Sequence, residues 1–336
     1  MRHLPFLEAA EENLLRRTSL YIKGAQNLMT SFKGQEMANL LWAFAILDYP
    51  VKVLDSVSQY MVKMTVGSTR SLKAAPISRV FKRQELANIA WSSAVFGEYP
   101  QDLINLLYCG LVGLGKERDT SFLNQCFGDG GLQEEAVMSL IYLQIALERN
   151  GSDNDLTLPE GFPNGWTRKT KSRDSSELAE TFELNLSTSK IQRDVGAAFN
   201  RIGFDHVEEH VLTADELLDN QGIPLSNGLD VISIDIANPE SRIGIEVDGP
   251  AHYVVDITSD SSRAGYTRYA KDGRMEYQFY MSDGRHRVNG PTALKKRLLE
   301  QSGWTLINVP FWEWDDLNGD EAKEEAYCRA LLSDSR

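Results

Sequence analysis

Three acidic residues in the second half of the chain have the types and the spacing of a metal-binding site. Asp235 lies in a strand-like apolar run over residues 229–237, and Glu246 and Asp248 lie in the next such run, over residues 243–248. Successive side chains of a strand point to opposite faces, so Glu246 and Asp248 share a face, and a hairpin would bring all three carboxylates together. Clustered oxygen ligands bind Mg²⁺, which activates water and stabilises charge on a phosphodiester. The three residues are therefore candidate Mg²⁺ ligands and candidate catalytic residues.

His252 follows the second run and is a fourth candidate catalytic residue. An imidazole titrates near neutrality, so His252 is suited to act as a general base. The alternative interpretation is that Asp248, Gly249 and Pro250 only shape a turn and that the site no longer catalyses. The sequence contains no Gly-x-Ser-x-Gly motif, which leaves a serine hydrolase without support.

Basic and aromatic residues alternate in the stretch that follows. Nine Lys and Arg stand against five Asp and Glu between Tyr253 and Arg297, with aromatic residues among them. Cations that contact phosphates, beside rings that stack on bases, are typical of single-stranded RNA recognition. The predicted RNA contacts of this region are Tyr253, Arg285, Arg287, Lys295, Lys296 and Arg297. The alternative is an exposed insertion with ordinary solvated charges.

The helices and strands that must position these residues are predicted to form an α/β domain. Apolar spacing predicts a helix over about residues 176–203 and strands over 206–212, 229–237 and 243–248. A helix over 292–301, a strand over 304–309 and a last helix over 320–332 complete the pattern. This order predicts a sheet with helices packed on it.

The first half of the chain contains a repeat. The pattern Gln-Glu-x-Ala-Asn-x-x-Trp begins at Gln35 and again at Gln84, an offset of 49 residues, and a further step of 49 lands on Gln133. Each copy begins a helix that a Pro-marked turn joins to a partner helix, over about residues 51–66 and 101–114. One helix pair cannot bury its apolar face alone, so the repeat predicts an α-solenoid of stacked pairs.

Asn39 and Asn88 occupy the same place in the repeat. Side chains at such positions read base edges in RNA-binding repeat proteins, which makes both residues candidate RNA contacts. The other interpretation is that Asn, with Trp42 and Trp91 three residues further on the same helix face, fixes the packing of the helices.

Composition sets limits on the domains and partners. The chain has 336 residues, of which 42% are hydrophobic, and we expect an α-helical repeat domain over 1–149, a polar linker over 150–176 and an α/β domain over 177–336. The net charge of -13 argues against non-specific binding to duplex DNA. The three cysteines form no C-x-x-C pair, and no apolar run approaches the roughly 20 residues that span a bilayer. We therefore expect neither a cysteine zinc site nor a membrane partner.

Three motifs of the second half resemble the RAP domain in their order and spacing. They are IEVDGPAHY at 245–253, NGPTALKKRLL at 289–299, and the segment over 303–314. The resemblance covers about residues 188–320 and implies a restriction-endonuclease-like, PD-(D/E)XK α/β fold. Nucleases of that fold carry Asp and then Glu-x-Lys on the next strand, and Asp248 stands here at the Lys position. The helical segments resemble the octotricopeptide-type repeats that precede many RAP domains.

The resemblance implies a function in RNA metabolism in mitochondria or chloroplasts. We expect an RNA-binding factor for the processing or stability of mitochondrial transcripts, with single-stranded RNA and other ribonucleoprotein components as partners. The two alternatives are a Mg²⁺-dependent endoribonuclease and a scaffold whose solenoid binds protein. The N-terminus is not a convincing transit peptide, because Glu8, Glu11 and Glu12 accompany its arginines.

Overall fold

The structure of the protein, a computed structural model, describes most of the two predicted domains. The described residues are 2–24, 32–66, 77, 80–113, 132–150, 156–159, 162–163, 188–218, 229–257, 266–271, 274–279 and 286–334. Together they form a helical N-terminal part and a C-terminal part of mixed helix and sheet.

Helices in two layers form the N-terminal part. They are α1 (Leu4–Ile22), α2 (Gly34–Ile46), α3 (Leu54–Val66), α4 (Arg83–Phe96), α5 (Gln101–Leu111) and α6 (Glu134–Arg149). Helices α2, α4 and α6 lie side by side in one layer, and α1, α3 and α5 lie in the other. The helices that begin with the recurring sequence motif therefore share one layer, and their partners share the second.

The recurring Glu of the repeat explains where two of these helices begin. The Glu36 carboxylate accepts a hydrogen bond from the backbone N–H of Lys33 at 3.1 Å, and Glu85 accepts one from Lys82 at 2.9 Å. These bonds satisfy N–H groups that a helix N-terminus leaves without partners. The 49-residue recurrence thus reproduces the same cap at α2 and α4.

The C-terminal part contains eight strands and five α-helices among its described residues. The strands are β2 (Val207–Thr213), β3 (Asp230–Asn238), β4 (Ile243–Asp248), β5 (Tyr253–Ile257), β6 (Tyr266–Lys271), β7 (Arg274–Phe279), β8 (His286–Val288) and β9 (Thr305–Pro310). The helices are α7 (Lys190–Arg201), α8 (Ala214–Leu217), α9 (Gly290–Gln301), α10 (Phe311–Asp315) and α11 (Glu321–Asp334). The predicted strands, and the helices predicted over 292–301 and 320–332, lie within a few residues of their expected bounds. The helix predicted over about 176–203 corresponds to α7, which begins at Lys190, and residues 176–187 of that prediction lie outside the described residues.

The principal sheet has the order β2-β3-β4-β9. Strands β2, β3 and β4 pair antiparallel, and β9 adds to β4 in parallel, with Ile245 opposite Ile307. Ile245 and Val247 of β4 face a buried cluster that includes Phe199 of α7 and Cys328 of α11. Because side chains alternate along a strand, Glu246 and Asp248 lie on the opposite face.

That opposite face packs against α9 and against the N-terminal helices. Helix α9 contacts β9 and also α2, α4 and α6. One continuous cluster of buried residues joins the N-terminal helices to Leu294 and Leu298 of α9. Leu158 and Phe162, in the predicted linker, are buried in the same cluster. The two predicted domains consequently share one core along this face.

A smaller sheet connects the N-terminus of the described chain to the C-terminal part. Strand β1 (Arg2–His3) pairs in parallel with β5, and β8 pairs with the other edge of β5. Strands β6 and β7 pair as a separate antiparallel hairpin. Among the described residues, no helix is both long and apolar enough to cross a membrane.

Candidate functional site

Asp235 ends the pairing between β3 and β4. The register of the two strands ends with Ile236 opposite Ile245. Beyond that point, Asp235 Oδ2 accepts a hydrogen bond from the backbone N–H of Val247 at 2.8 Å. The side chain thus replaces a carbonyl of the ladder and holds its carboxylate beside the segment that carries Glu246.

Glu246 is a buried carboxylate with one oxygen paired and one unpaired. Only 7% of its side chain is exposed, and Lys295 of α9 places its Nζ 2.5 Å from Glu246 Oε2. Glu246 Oε1 has no hydrogen-bond partner among the residues that the structure describes. Leaving a buried acceptor without a donor costs about 1–3 kcal/mol. A ligand that offers an N–H or O–H to this oxygen would therefore be stabilised.

The environment of these carboxyl groups favours their protonated forms. Burial raises the pKa of Glu246 to about 7, although the nearby Lys295 ammonium opposes the shift. Burial also raises the pKa of Asp235, and Lys295 again opposes it. Desolvation penalises a charged carboxylate more than the single cation stabilises it at these positions. The charge of the site consequently changes near neutral pH.

His252 and Asp248 form a hydrogen-bonded pair at the end of β4. His252 Nδ1 lies 2.9 Å from Asp248 Oδ1, and this bond raises the pKa of His252 above its ordinary value. Asp248 Oδ2 accepts from the Asn308 amide at 2.6 Å and from the Tyr253 hydroxyl at 3.3 Å. Asp248 is thus fully engaged in orienting its neighbours. The His252 side chain stays 41% exposed and is accessible to a ligand.

A cavity of about 390 Å³ opens beside Glu246, Lys295 and His252. Residues of β3, the segment before α9 and the N-terminal helices complete its wall, and Trp91 of α4 and Tyr142 of α6 supply aromatic rings. The Tyr142 hydroxyl donates to the Val231 carbonyl oxygen at 3.0 Å, which fixes α6 against β3. The cavity therefore lies between the two parts of the chain. Its volume is near the lower end of the roughly 300–1,000 Å³ that small-ligand sites occupy.

A larger groove of about 760 Å³ follows the layer of α2, α4 and α6. The residues that line it are Asn39, Trp42, Gln84, Asn88, Trp91, Glu134, Glu135, Met138, Ser139 and Tyr142. Asn39 is exposed, Trp42 is 46% exposed, and Asn88 and Trp91 are half-buried. The recurring Asn and Trp side chains thus face this groove together. Trp91 and Tyr142 line both the groove and the smaller cavity, so the two spaces adjoin.

The other basic residues predicted to bind RNA have partners within the protein. Lys296 Nζ donates to Asn308 Oδ1 at 3.2 Å, and Arg297 donates to backbone carbonyl oxygens at the end of α4. Arg287 pairs with Asp48 at 2.8 Å, and Arg285 lies outside the described residues. RNA binding by these residues and by Tyr253 stays a prediction.

The three carboxylates differ in their hydrogen-bond partners, and metal binding by them stays a prediction. Within the described part of the chain, no group of three or more Asp, Glu, His or Cys is placed to hold a metal ion. Both oxygens of Asp248 accept hydrogen bonds from protein side chains, and Glu246 Oε2 is paired with Lys295. If an ion binds here, the unpaired Glu246 Oε1 and the Asp235 oxygen that does not accept from Val247 would hold it, with water and phosphate as its remaining ligands, as is common for Mg²⁺.

Sequence reasoning did not find two features of the site. Lys295 was predicted to bind RNA, which stays a prediction, but its contact with Glu246, 49 residues away along the chain, was not predicted. Tyr142 was not identified at all, because it does not align with the recurring Trp of the repeat. The available signal for the Lys295–Glu246 contact was an acidic residue on the strand face that a lysine-bearing helix covers. No signal in the sequence pointed to Tyr142.

Comparison with known families supports the interpretation of the C-terminal part. Residues 245–330 match the family model of the RAP domain. The match begins in β4, ends in α11 and includes Glu246, Asp248, His252 and Lys295. The RAP domain is generally an RNA-binding domain. This chain, with its sheet face closed by helix α9 and by the N-terminal helices, is a RAP-domain protein.

Proposed function

We propose that this protein is an RNA-binding factor that acts in the processing or stability of mitochondrial transcripts. Its proposed ligand is single-stranded RNA. The alternative compartment is the chloroplast. The association of RAP domains with organellar RNA supports the location, and other ribonucleoprotein components are its expected partners. Localisation of the full-length tagged protein by microscopy tests the compartment.

The observation that carries this proposal is the set of recurring side chains in one groove. Asn39 and Asn88 come from equivalent repeat positions and face the same space as Trp42 and Trp91. Amide groups form hydrogen bonds with base edges, and indole rings stack on bases. Asn88 also accepts a hydrogen bond from Gln84 at 3.0 Å, which orients its amide. A groove with this lining suits unpaired bases better than a duplex.

The proposal includes two structural assignments. The two helix layers are inferred to be an α-solenoid of octotricopeptide-like repeats, because α2 and α4 share their motif, their cap and their layer. The sheet, with α7 and α11 on one face and α9 on the other, is inferred to have the restriction-endonuclease-like fold. A solved structure of the full chain tests both assignments.

The first experiment measures RNA affinity by fluorescence anisotropy. Wild-type protein is expected to bind single-stranded RNA more tightly than duplex RNA, with an affinity that falls as salt rises. The double variant Asn39→Ala, Asn88→Ala is expected to lose about tenfold or more in affinity, since a good amide–base pair contributes roughly 1–3 kcal/mol.

The matched control is Asn105→Ala on α5. Asn105 accepts a hydrogen bond from Gln101 at 3.1 Å and so reproduces the Gln84–Asn88 pair on a helix of the other layer. Its replacement is expected to leave RNA affinity unchanged. Equal effects of the two replacements, or no binding by the wild type, would refute RNA binding at the groove. In that case the groove is better explained as a protein-binding surface of a scaffold.

A second candidate function is Mg²⁺-dependent endoribonuclease activity. One observation favours it: Lys295 of α9 supplies an ammonium to Glu246, next to Asp248, which stands where the nuclease motif has Lys. Asp235 and Glu246 would hold the ion, which would activate water and neutralise charge on the scissile phosphate. Lys295 would hold Glu246 in place, and His252 would accept a proton from water.

The nuclease hypothesis has its own test. Wild-type protein is incubated with bound RNA, with and without Mg²⁺, beside the Asp235→Asn variant. Cleavage that requires both the ion and Asp235 supports the enzyme. Intact RNA in all samples contradicts the activity and leaves RNA binding as the function.

A further inference from the structure

We propose that the 390 Å³ cavity between β3, β4 and α9 holds one base of the bound RNA strand and selects a base with an exocyclic amino group. The inference rests on the proposed RNA binding and adds to it a pocket with its own specificity. The groove would bind the strand along α2, α4 and α6, and the cavity would receive the nucleotide at the end of that path.

The continuity of the two spaces is the first reason. Trp91 and Tyr142 belong to the walls of both the groove and the cavity. A strand that stacks on Trp42 and then on Trp91 would therefore pass from the groove to the adjoining cavity. Tyr142 is held there by its hydrogen bond to the Val231 carbonyl oxygen, 3.0 Å away.

The chemistry of the cavity favours a base over a phosphate. Lys295 is the one lysine or arginine among the cavity-lining residues that the structure describes, and it is already paired with Glu246 at 2.5 Å, which leaves little net charge to hold a phosphate. The Trp91 and Tyr142 rings offer surfaces on which any base stacks. The recessed part of the cavity is thus suited to a neutral, planar group that donates hydrogen bonds.

The unpaired oxygen of Glu246 explains the selectivity. Glu246 Oε1 is buried and lacks a hydrogen-bond donor within the described residues, while Oε2 is held by Lys295 at 2.5 Å. An exocyclic amino group projects one bond beyond the ring, and so it reaches a recessed acceptor better than a ring N–H does. Adenine and cytosine both carry such a group beside a ring nitrogen that accepts hydrogen bonds, and Lys295 is the donor next to Glu246 that this nitrogen would meet.

The experiment compares RNA bases that differ only in this amino group. Twelve-residue oligonucleotides of adenosine and of purine riboside, which lacks the 6-amino group, are titrated into the full chain. Cytidine and its analogue without the 4-amino group form the second pair. Wild type, Glu246→Gln and Asn39→Ala, Asn88→Ala are measured side by side, with thermal melts to establish that each variant is folded.

We expect the wild type to prefer the amino-bearing oligonucleotides, and Glu246→Gln to lower that preference about tenfold, because an amide NH₂ then meets the amino group. The groove variant is expected to weaken both oligonucleotides of a pair while keeping the part of the preference that depends on Glu246. A preference in the adenosine pair alone, or in the cytidine pair alone, identifies which base the cavity takes.

Two outcomes separate failure of the inference from failure of the proposed function. If the wild type binds neither oligonucleotide of a pair, RNA binding itself is wrong and the inference fails with it. If it binds both and Glu246→Gln leaves the ratio unchanged, RNA binding stands and the cavity assignment is overturned. Photocrosslinking of RNA to the wild type is the second measurement. Crosslinks at Tyr142 or His252 support the inference, and crosslinks confined to Trp42 contradict it.

Discussion

Arg297 donates a hydrogen bond from Nη1 to the carbonyl oxygen of Val95 at 3.0 Å, at the end of α4. A second guanidinium nitrogen donates to the Ala94 carbonyl oxygen. The carboxyl end of a helix carries partial negative charge and carbonyl groups without helical partners, so a cation there is stabilising. Arg297 therefore joins α9, the helix that carries Lys295, to α4, which lines the groove.

The first prediction follows from this contact. Arg297→Ala is expected to lower the free energy of unfolding by about 1–3 kcal/mol, because two carbonyl oxygens lose a charged donor. Urea denaturation followed by circular dichroism measures the change. Lys296→Ala, on the same helix with 42% of its side chain exposed, is the control and is expected to have little effect. Similar losses in both variants would mean that the helix end is not stabilised by Arg297.

The second prediction concerns the close approach of α9 to α2 at Gly290. A Cβ atom at this position would collide with the Ala45 carbonyl oxygen and press on the Val95 side chain. Gly290→Ala is therefore expected to destabilise the protein by roughly 1–3 kcal/mol, since the backbone must move apart. Gly249→Ala is the control, because no described atom lies within 4 Å of the added carbon there. Thermal melts of the two variants that coincide would contradict this close packing.

The third prediction is a dependence of stability on pH. Burial raises the pKa of Glu246 from 4.5 to about 7 in the folded state. The native protein therefore binds this proton more tightly than the unfolded chain, and the resulting stability is present below about pH 4.5 and is lost as pH rises through 7. The Glu246→Gln variant has no carboxyl group here to titrate. Its free energy of unfolding relative to that of the wild type should therefore rise by up to about 3 kcal/mol between pH 5 and pH 8.

Paired urea denaturation curves at these two pH values measure the effect. His252 is present in both proteins, so its own titration largely cancels in the difference. Glu300→Gln, at a residue of α9 whose side chain is 49% exposed, is the control and should show a flat difference. A flat difference for Glu246→Gln would show that its carboxyl titrates at its ordinary value.

The fourth prediction concerns a divalent ion at Asp235 and Glu246. If these residues bind Mg²⁺ or Mn²⁺, millimolar ion is expected to raise the melting temperature, because a ligand of the native state stabilises it. The double variant Asp235→Asn, Glu246→Gln should lose this response. It should also melt higher than wild type without metal, since two desolvated carboxylates are removed. If neither ion changes the melting temperature, the carboxylates do not bind a divalent ion and act only as hydrogen-bonding groups.

The local elements of this chain could be predicted from its sequence because they depend on near neighbours. The 49-residue recurrence located the starts of α2 and α4, where Glu36 and Glu85 cap the helices. The predicted strand over 243–248 has the observed bounds of β4. Helix α9 begins at Gly290, two residues before the predicted start, because the Asn289 side chain accepts a hydrogen bond from the Thr292 N–H at 3.0 Å.

The partners of the charged residues could not be predicted in the same way. Lys295 meets Glu246 across 49 residues, and Arg297 meets Val95 across 202. Arg287 meets Asp48 across 239 residues. Periodicity shows which face of a helix is apolar, but it does not show which distant element covers that face. The convergence of Trp91 and Tyr142 on one cavity likewise depends on how α4 and α6 pack against β3.

The two-residue strand β1 determines how far this chain can be divided. Arg2 and His3 pair with Asp256 and Ile257, and Arg2 also donates to the Asp48 carbonyl oxygen at 2.8 Å. A fragment limited to residues 188–334 would leave one side of β5 as an open strand edge and would uncover the apolar surface beneath α2, α4 and α6. Open edges and bare apolar surfaces promote aggregation. The RAP domain alone is therefore expected to self-associate, and recombinant work on it requires the helices with which it folds.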